Sequence, residues 1–238
     1  VLLHDASNIA AVIVEPLSGT AGVLPPPKGY LKKLREICTK HDLLLIFDEV
    51  ITGLGRMGSM TGAEEFGVTP DMMTLAKQIT NGTIPLGAVV TAPYIYNTFM
   101  ENGGPDYMVE FPHGYTYSAH PVACAAGLAS LELMGRDNLV EKVRELSPKL
   151  ESAVHGLKGA PFVTDIRNYG LAAGITLEAY EGEPLRRPFE LGLRCLEKGF
   201  YVRWGGDTIQ LAPQFISTPD QIDALVNAIG ESLYELGN

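Results

Sequence analysis

The chain has 238 residues, enough for one large domain or for a domain and a half, and its 46% of apolar residues suits a packed globular core. A formal net charge of −10, with 18 scattered basic residues, argues against a nucleic-acid surface, which needs clustered Lys and Arg to neutralise phosphates. Cys38, Cys124 and Cys195 are too few and too far apart for a disulfide framework or a zinc site, so neutral thiols in a reducing, cytoplasmic compartment and no bound metal are expected.

The first line of sequence reads as the middle of a domain, so the chain is expected to be the C-terminal part of a longer protein, with any targeting signal out of view. "IAAVIVEP" predicts a buried strand feeding the loop "LSGTAGVLPPPKG". Leu31, Leu34, Ile37, Cys38 and His41 then recur at helical spacing, and "LLLIFDEV" predicts the next strand. "DMMTLAKQITNG" and "LGAVVTAP" predict two more short strands lying side by side, and "PVACAAGLASLELMG" a buried helix too short to cross a membrane.

Strand, helix, strand with near-continuous apolar strands is the pattern of a mostly parallel sheet covered on both faces, here over residues 1–135. Residues 136–238 differ. "NLVEKVRELSPKLESAVHGL" predicts a long amphipathic helix, "GLAAGITLEA" and "YVRWGGDTIQLAP" strands, and "STPDQIDALVNAIGESLYEL" a closing helix started by a capping box at Thr218 and Gln221. A smaller α+β domain is expected there.

The chemistry-bearing residues cluster around "LLLIFDEVITGLGRMG", where an apolar strand ends in Asp48 and Glu49. Gly53, Gly55 and Gly58 satisfy the dinucleotide pattern G-x-G-x-x-G, and Asp71 falls near the ribose-binding offset. A nicotinamide site fits poorly all the same, because two carboxylates at the strand end would repel a pyrophosphate and no apolar helix pattern begins within "GRMGSMTGAEE". A cation is the better partner for Asp48, and Lys77 ends the neighbouring strand segment. A strand-end carboxylate and a strand-end lysine together suit pyridoxal phosphate: the amine forms a Schiff base and the carboxylate keeps the pyridine nitrogen protonated. Val50, expected on the same side of an extended strand as Asp48, is placed to pack on the flat ring. Glu49, facing the other way, is expected to anchor the following turn through Arg56.

The stretches "VEPLSGTAGVLPPPKGYLKKLREICTKHDLLLIFDEVITGLGRMG", "PDMMTLAKQITNG" and "HGYTYSAHPVACAAGLA" resemble the class III pyridoxal-phosphate-dependent aminotransferases, and the similarity runs over essentially the whole chain. The resemblance implies an α/β fold of the pyridoxal-phosphate transferase fold type I, its large domain partial, followed by the small domain. It also implies that Lys77 is the Schiff-base lysine, Asp48 the partner of the ring nitrogen, Val50 the residue on the ring face and Glu15 a supporting residue near the cofactor. Thr116 matches a threonine that reaches the cofactor phosphate of a neighbouring subunit, so a homodimer with a shared site is implied, tetramers being left open.

Within the class, "AKQITNGTIPLGAVV" and "GFYVRWGGDTIQLAPQFIS" are most similar to the ω-amino acid (β-alanine):pyruvate branch. There Arg203 matches the arginine that binds the α-carboxylate of the amino acceptor, with Trp204 and Tyr115 as further pocket residues. Thr20 stands where 2-oxoglutarate-using relatives carry a glutamate that shields this arginine, which favours pyruvate as acceptor. The implied reaction is a two-step transamination from an ω-amino acid or amine to pyruvate, giving alanine. A 2-oxoglutarate-dependent aminotransferase, an aminomutase or a decarboxylase on the same Lys and Asp are the alternatives, and a dehydrogenase using Gly53, Gly55 and Gly58 is the remote one. His113 and His120 are expected to be structural, since the freed lysine can itself move the proton.

Overall fold

The structure is a computed structural model that describes residues 6–237. Its first half is a four-stranded sheet in the order β1–β2–β3–β4, with β1 (Ala11–Val14), β2 (Leu44–Asp48) and β3 (Met72–Leu75) parallel and β4 (Ala88–Thr91) antiparallel to β3. The crossover from β1 to β2 runs through α1 (Tyr30–Lys40), whose Leu31 and Cys38 bury against Leu43, Leu45, Phe47 and Val68. In β2 only alternate residues are fully buried, so the apolar run is covered on one face by α1 and half-covered on the other. Ile13, Val89 and Val90 are exposed on this sheet.

Two short helices follow where the sequence offered little signal. α2 (Gly62–Phe66) starts within the glycine-rich stretch, its first turn capped by Thr61 Oγ1, which accepts from the Glu64 amide at 3.1 Å. α3 (Pro93–Glu101) begins on a proline and has no buried residue. The expected buried helix α4 (Pro121–Arg136) forms, but only Ala123, Gly127 and Met134 are buried. Val122, Leu128, Leu131 and Leu133 lie exposed on its outer side, because α4 is packed along one stripe only.

The second half is an antiparallel sheet in the order β5–β6–β8–β7, formed by β5 (Val163–Tyr169), β6 (Ala172–Leu177), β7 (Arg203–Gly205) and β8 (Thr208–Leu211). α5 (Leu139–His155), α6 (Arg186–Glu197) and α7 (Pro219–Gly237) supply the rest of its core, with Leu150, Leu191, Ile209, Ile229 and Leu233 fully buried. The capping box is present: the Thr218 amide donates to Gln221 Oε1 at 2.9 Å and the Gln221 amide to Thr218 Oγ1 at 3.3 Å.

Asp71 is no ribose ligand. Its Oδ2 accepts from Arg35 and from the Leu45 amide, both at 2.6 Å, and so ties α1 and β2 to the start of β3. Burial raises the pKa of this carboxyl, but the hydrogen bonds from Arg35, Leu45 and Tyr94 outweigh it and hold it below the ordinary 3.8. A depressed folded-state pKa stabilises above the unfolded value, and the gain disappears as pH falls through the folded one. Urea unfolding of wild type and Asp71→Asn is therefore expected to show its full stability difference at neutral pH and a shrinking one below 3.8.

Candidate active site

The carboxyl ends of the parallel strands face the second sheet across an open cleft of about 400 Å3. Ligand sites in such sheets lie beyond the strand ends. Val50, Ile51, Lys77 and Gln78 line one wall; Tyr201, Arg203, Gln210 and Phe215 line the other.

β2 stops at Asp48 and the chain turns at once, so Val50 sits in a turn and not on an extended strand. The two stay linked, because Asp48 Oδ1 accepts from the Val50 amide and from Thr74 Oγ1 of β3, each at 3.1 Å. That leaves Oδ2 with no protein donor among the described residues. Val50 lines the cleft; Asp48, half-buried, is not among its lining residues.

Glu49 does anchor the following turn, but not through Arg56. Its buried carboxylate accepts from Thr52 Oγ1 at 2.5 Å and from the Gly62 and Ala63 amides at 2.9 and 3.1 Å. The Gly53 and Gly58 amides go to the Glu49 and Gly55 carbonyls and the first amides of α2 to the Glu49 carboxylate, so none of these donors is left for a pyrophosphate, which argues against the nicotinamide reading. The glycines serve the turn. A Cβ on Gly53 would sit 2.7 Å from the Glu49 carbonyl, and Gly55 and Gly58 hold positive φ of 107° and 86°.

Arg56 crosses to the second sheet instead. Its Nη1 donates to the Leu171 and Pro213 carbonyls at 2.9 and 2.6 Å, its own carbonyl accepts from the Leu171 amide, and its guanidinium lies 4.6 Å from the Phe215 ring centre. Burial lowers its pKa to about 10, still far above neutrality.

Lys77 opens a 3-10 turn, Lys77–Ile79, directly after β3, with φ at +44°, a left-handed conformation that is strained for any residue with a Cβ. α4 braces this turn: Gly127 packs close to Leu86 and the Ile79 carbonyl, and Ser130 Oγ donates to the Gln78 carbonyl at 3.2 Å. The Lys77 amine is exposed to the cleft and has no hydrogen-bond or ion-pair partner among the described residues; the same holds for the Arg203 guanidinium.

The remaining expected residues fall elsewhere. Glu15 follows the last residue of β1, and its Oε2 accepts from the Gly19 amide at 2.9 Å, so it shapes the loop that reaches the cleft wall. Trp204, expected as a pocket residue, is not among the residues that line the cleft. It pairs with the buried Ile209 on the core face of β7 and β8, edge-on to Phe189 and against Gly192, while Arg203 and Gln210 take the other face. Thr116 and Tyr115 lie in an exposed segment, with Tyr115 beside His113, and neither lines the cleft. His120 occupies the N-cap position of α4 without a side-chain cap bond, and its buried Nδ1 has no hydrogen-bond partner among the described residues. Tyr201, Gln78, Gln210 and Phe215 were not anticipated; the one available signal was their closeness to Lys77 and Arg203 in sequence.

A parallel sheet meeting an antiparallel one, with a lysine and a carboxylate at adjacent strand ends, is an arrangement suited to a cofactor held through a lysine. The chain matches the family Aminotransferase class-III over residues 2–233 and belongs to it. It is 61% identical over 234 residues, 98% of its length, to an omega-amino acid–pyruvate aminotransferase of Pseudomonas putida, and 60% identical over 231 residues to a beta-alanine–pyruvate aminotransferase of Pseudomonas aeruginosa. It covers 52% of each, so the chain spans about half the length of these curated relatives. Among solved structures, a pyridoxal-phosphate-bound amine transaminase from an uncultivated Pseudomonas species superposes with a TM-score of 0.91 at 36% identity, over 98% of this chain and 54% of that one.

The cofactor of this class is pyridoxal phosphate, and the residues present fit its ring: a partnerless amine, an apolar side chain and a carboxylate with an unused oxygen. The strain at Lys77 gives a direct check. Lys77→Gly is expected to be more stable than Lys77→Ala by about 1 kcal/mol, since only glycine relaxes at positive φ. Thermal unfolding without cofactor measures the difference.

Proposed function

We propose that the protein is an aminotransferase that moves an amino group from an ω-amino acid such as β-alanine, or from an amine, to pyruvate. The observation that carries this reading is the meeting of Lys77, Val50 and Arg203 in one cleft, with Asp48 tied to the Val50 amide and neither cation neutralised by a carboxylate among the described residues. Pyridoxal phosphate, when bound, supplies the electron-withdrawing ring. Lys77 Nζ holds the cofactor before the donor arrives and then takes the proton from the donor's amine-bearing carbon. Asp48 Oδ2 would accept from the protonated ring nitrogen and so keep it charged, and Val50 would pack on the ring. Arg203 receives the acceptor carboxylate, for which its planar fork is suited. Thr20, with no carboxylate to offer, leaves Arg203 unmasked, which supports pyruvate over 2-oxoglutarate.

The exposed apolar residues of α3 and α4, together with the exposed Thr116 segment, support a homodimer in which Thr116 and Tyr115 serve the partner's site. The three free cysteines support a reducing, cytoplasmic setting.

Borohydride reduction is expected to fix pyridoxal phosphate covalently to the wild type at Lys77 and to leave Lys77→Ala unlabelled at the site, with turnover lowered by about 10²–10⁴-fold or more. A labelled Lys77→Ala site would overturn the assignment. With β-alanine as donor, pyruvate is expected to be aminated faster than 2-oxoglutarate; the reverse order would place the protein in the other branch of the class, and no alanine at all would favour an aminomutase or a decarboxylase.

A further inference from the structure

The Arg203 end of the cleft contains a second polar side chain whose position is fixed from outside its own strand. Arg203 and Gln210 are directly paired across β7 and β8, so both project from the cleft face of that sheet. Gln210 Nε2 donates at 2.8 Å to the carbonyl of Thr20, in the loop after β1, and so joins the two sheets across the cleft. Gly205 makes this reach possible: a Cβ there would lie 2.7 Å from Gln210 Nε2. Arg167 fixes the same loop independently, its Nε donating to the Gly22 carbonyl at 2.7 Å, so the acceptor for Gln210 is itself held in place.

We propose that Gln210 is the positioning residue for carboxylate recognition. Its amide nitrogen is committed to Thr20, which sets the distance between the loop and β8. Its oxygen is the neutral acceptor beside Arg203, where a carboxylate would pair with the guanidinium and compete with the substrate. The site therefore presents an unpaired cation of fixed width to one small acceptor carboxylate. The inference rests on the reading of Arg203 as the carboxylate-binding residue and adds what keeps it available.

Wild type, Gln210→Glu and Gln210→Met, each loaded with pyridoxal phosphate, are compared with β-alanine as donor and either pyruvate or butanal as acceptor. Butanal has the reacting carbonyl and no carboxylate. Gln210→Glu places an anion opposite Arg203 and cannot donate to Thr20, so its KM for pyruvate is expected to rise, and the ratio of kcat/KM for pyruvate to that for butanal to fall, by roughly tenfold or more. Gln210→Met loses the strap without adding charge and is expected to lower the ratio less. Should Gln210→Glu fail to fold, Gly205→Ala reads the same geometry by pushing the Gln210 amide off Thr20, and it too is expected to lower the ratio. A general structural defect would depress both acceptors together. A wild-type ratio in Gln210→Glu, or equal losses on both acceptors, overturns the role of Gln210. A wild type that aminates neither acceptor overturns the aminotransferase reading itself, which is a separate result.

Discussion

The site exists because Arg56 holds the two sheets together at the cleft. Lys77 and Val50 belong to one sheet and its loops, Arg203 to the other, and neither half is a site alone. The Arg56 side chain takes two carbonyls of the second half, and its backbone carbonyl takes the Leu171 amide, so one residue closes the gap at three points. A buried cation without a carboxylate is costly, and burial pulls its pKa down to about 10. Guanidinium tolerates that shift because its ordinary value is so high. A lysine placed there would start lower and bring no planar fork to reach two carbonyls while lying over Phe215.

Adjacent carboxylates at the end of β2 are divided between structure and chemistry. Glu49 is consumed by the fold: Thr52 and the first amides of α2 saturate it. Asp48 spends one oxygen on Val50 and Thr74 and keeps the other. The sequence distinguishes them only through the alternation of a strand, which assigns them opposite sides. Which side becomes chemical depends on α2 arriving beneath Glu49, and that helix is too short and too glycine-rich to announce itself.

Much of the architecture was legible because it rests on local pattern. The strands, the amphipathic helices α1, α5 and α7, and the Thr218 capping box follow from apolar spacing and end signals within single segments. Lys77 and Asp48 were legible as strand-end residues, a position fixed by the same local pattern. What escaped depends on contacts between segments far apart in the chain. Gln210 matters because it meets Thr20, 190 positions away. Trp204 was drawn toward the site by its neighbour Arg203, yet successive strand residues face opposite ways, and the buried Ile209 claims the tryptophan. The apolar character of α4 indicated burial, but a helix pattern does not say how much of its face neighbouring chain covers.

Charge completes the argument. The chain carries a net charge of −10, yet among the described residues Arg56, Lys77 and Arg203 line the cleft with no carboxylate beside them in its lining. The acidic side chains nearest in sequence have other contacts: Glu15 binds the Gly19 amide, Glu49 the turn at α2, and one oxygen of Asp48 the Val50 amide and Thr74. An acidic exterior repels anions at long range, but screening limits that repulsion to roughly 10 Å at moderate salt, whereas three cations on low-dielectric walls act at contact distance. The cleft is thus a place where an anionic ligand gains from the protein's charge, and it has that character because Glu15 and Glu49 are taken up by backbone amides elsewhere.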